Sequence, residues 1–170
     1  MSAFIYARRI FSSERENMEL LDLRFSEKTL KILKGMAGQV FEKYRCDPSI
    51  FHPVYLLPVG IYASGKCYIM TQEITDKAAG GKKTDVLEWV FREAEEKEIH
   101  SSRPAVVQED HALQKEIKEV RIINEKKTLF RRGKAEYRVY LTKAVRFIFE
   151  KGYLQIRKPV YFSPFLNLED

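Results

Sequence analysis

The stretch that decides the predicted fold lies towards the C-terminal end of the chain. Residues 135–157 read AEYRVYLTKAVRFIFEKGYLQIR. Apolar and polar side chains alternate from Ala135 to Leu141, and a second alternation runs from Val145 to Phe149. A period of two residues is typical of β-strands that have one buried face. The stretch therefore predicts two strands of an antiparallel sheet.

A turn at residues 151–152, Lys-Gly, is predicted to join the second of these strands to a third. A two-residue turn there would place Phe149 opposite Leu154 and Phe147 opposite Ile156. The apolar side chains of both strands would then share the inner face of the sheet.

The outer face of this predicted sheet combines cationic side chains with aromatic rings. The same register places Arg146 opposite Arg157, where like charges repel unless an anion binds between them. Cations bind phosphates and aromatic rings stack on bases, so this face is a candidate for binding nucleic acid. The predicted binding residues, on the outer face or in the basic turn at its edge, are Arg131, Arg132, Lys134, Arg138, Tyr140, Arg146, Tyr153 and Arg157.

Positive charge is concentrated in this part of the chain. The 170 residues have a net charge of +6, yet residues 111–160 hold 14 Lys and Arg against 5 Asp and Glu. Residues 1–110 hold 16 against 17. A regional excess of cations favours an anionic partner, either nucleic acid or an acidic protein surface. It also fits a solvated face that keeps a sheet edge from aggregating.

Helices are predicted in three places. Ser26 fits an N-cap, and apolar residues recur at three- and four-residue intervals from Leu30 to Tyr44, as in an amphipathic helix. Asp85 and Glu88 have the spacing of a capping box. The predicted helices cover about 27–45, 85–99 and 110–119.

We therefore predict an α+β fold, in which antiparallel sheet regions are covered by these helices. The C-terminal β-meander covers about 119–162, and a second hairpin is predicted around Ser64-Gly65. Residues 1–170 are expected to form a single domain, with a possible boundary near 100–105 between a neutral N-terminal part and the basic sheet.

No motif predicts a catalytic, cofactor-binding or metal site, and no cofactor is expected. The run from Gly80 to Thr84 has glycines and lysines, but Lys77 stands where a phosphate-binding loop needs its leading glycine. His52, His100 and His111 lack the spacing of paired ligands. Acid-x-Lys triplets such as Glu95-Glu96-Lys97 keep a metal-dependent nuclease open as an alternative.

The composition indicates the cellular compartment and whether the chain is expected to contain a membrane-spanning helix. Cys46 and Cys67 form no framework of bridges, so a reducing, cytoplasmic setting is expected and both are interpreted as buried thiols. No apolar run approaches the roughly 18 residues of a membrane helix, so no membrane partner is expected.

The leading hypothesis is that this is a non-enzymatic cytoplasmic protein that binds an anionic partner, with RNA or DNA favoured by the charge pattern. The alternative is a protein–protein adaptor or inhibitor that uses the aromatic segments 51–68 and 161–165. The third hypothesis is the nuclease.

Overall fold

The computed structural model describes residues 20–46, 58–79, 82–101, 109–131 and 134–157. Within these ranges the chain forms nine strands and two short helices. The strands are β1 (Leu20–Leu23), β2 (Val40–Cys46), β3 (Val59–Ala63), β4 (Lys66–Ala79), β5 (Lys82–Glu93), β6 (Glu109–Glu116), β7 (Glu119–Arg131), β8 (Lys134–Ile148) and β9 (Tyr153–Arg157). The helices are α1 (Glu27–Lys34) and α2 (Glu96–Ser101).

The strands form two sheets. The five-stranded sheet is antiparallel, in the order β5-β4-β3-β2-β6. In the four-stranded sheet, β8 is central and pairs with β7 along one edge. Its other edge pairs with β1, which runs parallel to it, and with β9, which runs antiparallel.

The main core lies between the two sheets. Phe41 of the five-stranded sheet meets Phe147 of the four-stranded sheet edge to face, with ring centroids 5.3 Å apart. Leu33 of α1 and Met36, just after it, are fully buried in the same cluster. Burial of each large apolar side chain contributes about 1.5–3 kcal/mol. The contacts between the sheets are therefore a major source of stability.

The predicted α+β class is wrong, because the described chain is mostly β. In the predicted helix 27–45, Ser26 does cap the start: its Oγ accepts a hydrogen bond from the Thr29 amide at 3.2 Å. The helix ends at Lys34, and Val40–Cys46 is strand β2. The turn between them is fixed by Gly38, whose φ is +87° and whose amide donates to the Ile117 carbonyl at 2.8 Å.

The other two predicted helices are also largely strands. Residues 85–93 belong to β5 and residues 110–116 to β6, and only Glu96–Ser101 is helical. Strand β5 places Phe91 in the main core and Val86 in a second cluster on its opposite face. A strand that is apolar on both faces lacks the polar–apolar alternation by which strands are recognised.

The predicted hairpin around Ser64-Gly65 is confirmed. Ala63 pairs with Lys66 and Val59 with Met70. Ser64 has a φ of 48° and Gly65 one of 73°, so both turn residues are left-handed, as in a type I′ turn.

Strand β8 is continuous where two strands were predicted, and it contains a β-bulge at Lys143. Ala144 pairs with Ile123 while Thr142 pairs with Asn124, so Lys143 is the extra residue. An extra residue reverses which face the following side chains occupy. Accordingly, Val145 and Phe147 lie in the main core, whereas Val139 and Leu141 lie in the second cluster, with Leu21, Leu23 and Val86.

Among the described residues, no helix is both long and apolar enough to span a membrane. Residues 102–105 of the suggested domain boundary lie outside the described ranges.

Candidate nucleic-acid interface

The candidate site is the outer face of the four-stranded sheet between the Lys143 bulge and the β8–β9 turn. Val145 and Phe147 point into the core, so the side chains that alternate with them point away from it. Strand pairing arranges this outer face in three rows across β7, β8 and β9. The rows are Glu119, Ile148 and Tyr153; Arg121, Arg146 and Gln155; and Ile123, Ala144 and Arg157.

Arg146, at the centre of the outer face, is held in one orientation. Its Nε and Nη2 donate to Gln155 Oε1 at 3.0 and 2.7 Å. Its Cζ lies 4.4 Å from the centroid of the Tyr153 ring, a cation–π contact. In the described part of the chain, no carboxylate is ion-paired with Arg146. The guanidinium is therefore positioned by an amide and a ring, and its charge is not neutralised.

Arg121 lies directly opposite Arg146 on β7, and this pair has like charges. Glu119 accepts from Arg121 Nε at 2.7 Å and from Nη2 at 2.9 Å. The same bonds hold the pKa of the Glu119 carboxyl below its ordinary value. Glu119 thus compensates the charge of Arg121 and leaves that of Arg146 available.

Two further exposed cations lie in the same segment of chain as the exposed ring of Tyr153. Tyr153 is 58% exposed, Arg157 is exposed at the far end of β9, and Lys151 is exposed in the turn before it. Neither cation is ion-paired with another described residue. The outer face therefore combines an accessible ring with uncompensated positive charge.

The predicted register of β9 is wrong by two residues. Gln155 lies opposite Arg146, and Arg157 lies opposite Ala144. The connection is longer than the predicted turn: Ile148 is the last residue paired with β9, and the Phe149 amide donates to the Gly152 carbonyl at 3.0 Å. A shift of two residues keeps every side chain on its predicted face. Arg146, Tyr153 and Arg157 therefore still share the outer face.

Arg138 and Tyr140 do not belong to this face, because the bulge separates them from Arg146. The Tyr140 ring is covered by Arg24, whose Cζ is 4.2 Å from its centroid, and by Lys126, whose Nζ is 5.1 Å away. Arg24 is in turn paired with Asp22 at 2.6 Å. The expectation that Arg138 and Tyr140 share one outer face with Arg146, Tyr153 and Arg157 is therefore wrong. Tyr140 is engaged by cations from its own chain.

Of the predicted basic turn, the structure describes the two flanking residues. Arg131 and Lys134 form the last pair between β7 and β8. Arg132 lies outside the described residues.

Arg121 and Gln155 were not predicted as site residues. The order Glu119, Val120, Arg121, Ile122 is a short polar–apolar alternation, which would have placed Arg121 on an outer face. Gln155 carried no such signal, because its role depends on the register of β9.

The alternative sites gain no support from the described residues. No group of three or more His, Cys, Asp and Glu side chains among them could hold a metal ion. Two of the acid-x-Lys triplets form ion pairs of their own, Glu95 with Lys97 at 2.6 Å and Glu116 with Lys118 at 3.0 Å. His100 lies 3.6 Å from Glu96.

Residues 80–81 of the glycine–lysine run lie outside the described ranges, but the residues on either side of them are paired strands. Ala79 pairs with Lys82, from which β5 continues, so a strand and not a helix follows the two glycines. A phosphate-binding loop requires the amides at the start of a helix.

The aromatic segment proposed for an adaptor is partly core. Tyr62 and Tyr68 are 6% and 2% exposed. Residues 51–57 and 161–165 lie outside the described ranges. Cys46 is buried, and the half-buried thiol of Cys67 has a pKa raised by burial.

We compared the chain with models of protein families, with curated proteins and with solved structures, and none of these comparisons finds a match. Function is therefore inferred from the contacts and charges of the chain itself.

Proposed function

We propose that the protein is a non-enzymatic, cytoplasmic nucleic-acid-binding protein that holds the phosphate backbone of RNA or DNA on the outer face. The observation that best supports this proposal is the set of contacts made by the Arg146 guanidinium. Its guanidinium is fixed by Gln155 and Tyr153 and has no carboxylate partner among the described residues.

A fixed guanidinium is well suited to bind a phosphate. Arginine presents planar donors that match phosphate geometry, and a side chain that is already ordered loses less entropy when it binds. Nε and Nη2 of Arg146 are used internally, whereas Nη1 donates to no described residue. That group can therefore donate to an anion without breaking an existing bond.

The charges around Arg146 support the same function. Lys151 in the turn and Arg157 opposite Ala144 add exposed cations, and Glu119 neutralises Arg121. Each phosphate neutralised by a cation releases counterions, so binding of this kind weakens steeply as salt increases.

The proposal is tested with the full chain and a fluorescein-labelled 20-nucleotide RNA, by fluorescence anisotropy over a salt series. We expect Arg146→Ala/Arg157→Ala to weaken binding about tenfold or more at low salt. The slope of log affinity against log salt should become shallower by about 0.7 for each phosphate of a single strand that the variant no longer neutralises.

The matched control is Lys31→Ala/Lys34→Ala, which removes two exposed charges from α1. It lowers the net charge equally but leaves the outer face intact. Equal affinity and equal salt slope in the two double variants would refute the outer face as the binding site. Thermal melting confirms that both remain folded.

The same titration separates the other hypotheses. No binding of RNA or DNA at low salt would refute the proposal and favour an acidic protein partner. Loss of full-length RNA only when magnesium is added would replace it with the nuclease hypothesis.

A further inference from the structure

The exposed ring of Tyr153 is a feature of the outer face that binding of phosphates by cations does not explain. A large side chain that is 58% exposed contributes little to the core. It is nevertheless fixed in position. Arg146 Cζ lies 4.4 Å from the centroid of the ring, and the backbone of Tyr153 pairs with Ile148 of β8. An exposed ring that is held by its own sheet is a platform on which a planar group can stack.

The bases of nucleic acid can use such a platform only when they are unpaired. In a duplex each base is stacked between its neighbours and presents only its edge. In a single strand the base faces are open, and stacking on an aromatic side chain stabilises the complex. Arg146, which lies against the ring, would also stabilise the complex, because it can bind a phosphate next to the stacked base.

The width of the face favours the same ligand. Neighbouring strands lie about 4.8 Å apart, so the three strands that form the face span roughly 10 Å before their side chains are counted. A major groove about 12 Å wide admits a two-stranded ribbon. A face of three strands is too broad to enter that groove, whereas an extended strand can lie across it.

Gln155 adds a directed donor beside the ring. Its Oε1 accepts both hydrogen bonds from Arg146, which determines the orientation of the amide. Its Nε2 is left to donate, and Gln155 lies two residues from Tyr153 on the same face, roughly 6.6 Å away along the strand. A donor in this position can reach an acceptor on the edge of a base stacked on Tyr153.

We infer that the ligand is single-stranded nucleic acid, with one unpaired base stacked on Tyr153 and adjacent phosphates bound by Arg146 and Arg157. This inference rests on the proposed function and specifies its ligand.

The test compares a 12-nucleotide single strand, as RNA and as DNA, with the corresponding duplexes. We expect the single strands to bind at least about tenfold more tightly. Tyr153→Leu should weaken their binding by about 5- to 150-fold, the range found when a stacking aromatic is removed. Tyr153→Phe keeps the ring and should retain affinity.

A fluorescent base provides a direct readout. A 2-aminopurine placed in the single strand loses fluorescence when it stacks, so the wild-type chain and Tyr153→Phe should quench it. Tyr153→Leu should not, even at concentrations at which the strand is bound.

The failures of the two proposals are distinguishable. Duplexes that bind as tightly as single strands, or Tyr153→Leu with wild-type affinity, would overturn the stacking inference. If Arg146→Ala/Arg157→Ala still weakens binding in either case, the proposed function stands. If no nucleic acid binds, both fail.

Discussion

The outer faces of the two sheets differ in one cation: Arg146 of the four-stranded sheet has no carboxylate partner among the described residues, although its neighbour Arg121 does. On the five-stranded sheet, Lys43 and Arg45 share Asp110 at 3.0 and 3.4 Å. Arg92 is hydrogen-bonded to Glu98 of α2. On the four-stranded sheet, Arg146 is held by a neutral amide and a ring.

The two faces also differ in what covers them. Helix α2 packs on the five-stranded sheet, where Ile99 is 1% exposed and lies against Gly60. At the four-stranded sheet, α1 contacts β7, and Leu33 of α1 is buried in the main core. The difference teaches that the cations beside α2 are compensated by carboxylates of the chain, whereas Arg146 is left uncompensated where a ligand is proposed to bind.

The largest effect is expected from disturbing the covered face. A Cβ at Gly60 would lie 2.4 Å from Ile99 Cγ2, so Gly60→Ala should destabilise the chain by about 1–3 kcal/mol. Urea unfolding followed by circular dichroism measures the change.

The control for this prediction is Ile99→Leu, which removes the branched methyl that clashes. Gly60→Ala/Ile99→Leu should recover part of the loss, a coupling that a double-mutant cycle detects. A loss of less than about 0.3 kcal/mol for Gly60→Ala would show that α2 does not pack closely on this face.

A smaller effect is expected from removing a compensating carboxylate. Hydrogen bonding to Lys43 is the main cause of the lowered pKa of Asp110. A lowered folded-state pKa stabilises the fold above the ordinary value of 3.8, and this contribution disappears as pH falls through the lower value. Because Asp110 is partly exposed, Asp110→Asn should cost at most about 1 kcal/mol at pH 7.

Urea unfolding of wild type and Asp110→Asn at pH 7 and at pH 2.5 checks this sign. The difference between them should shrink at the lower pH. A constant difference would mean that packing, and not charge compensation, is what Asp110 supplies.

The smallest effect concerns a pair of like charges in the five-stranded sheet, which mirrors Arg121 and Arg146. Asp76 lies opposite Asp85, and its hydrogen bond is the first cause of the raised pKa of Asp85. Since the folded chain then holds this proton more tightly, stability falls as pH rises through the raised pKa. Asp85→Asn should therefore raise the melting temperature slightly at pH 7.

The gain from Asp85→Asn should shrink as the pH falls through the raised pKa of Asp85, because the protonated carboxyl carries no charge. An equal gain at pH 3 and pH 7 would contradict a charge effect. Such a result would indicate that the two aspartates are not in contact.

Local signals predicted some elements well. The Ser64-Gly65 hairpin was recognised from its turn residues, because a type I′ turn needs two residues that tolerate positive φ. Ser26 was recognised as an N-cap because its side chain acts within one turn of its own helix. The prediction of which side of β9 is apolar was also correct, because a shift of two residues leaves each side chain on the same face.

The site was predicted less well. The prediction correctly placed Arg146, Tyr153 and Arg157 on one face. It wrongly grouped Arg138 and Tyr140 with them, because no residue near Lys143 indicates a bulge in the sequence. Gln155 was missed because only the true register brings it to Arg146.

The sequence by itself determined the Ser64-Gly65 turn, where the positive charge lies and which side chains alternate, because these depend on neighbouring residues. Only the tertiary structure decided that residues 82–93 and 109–116 are strands, that Lys143 reverses the face of β8, and that Arg146 meets Gln155. The physical reason is that strand pairing joins residues far apart in the chain. The partner strand, and not local propensity, sets register, bulges and the burial of both faces.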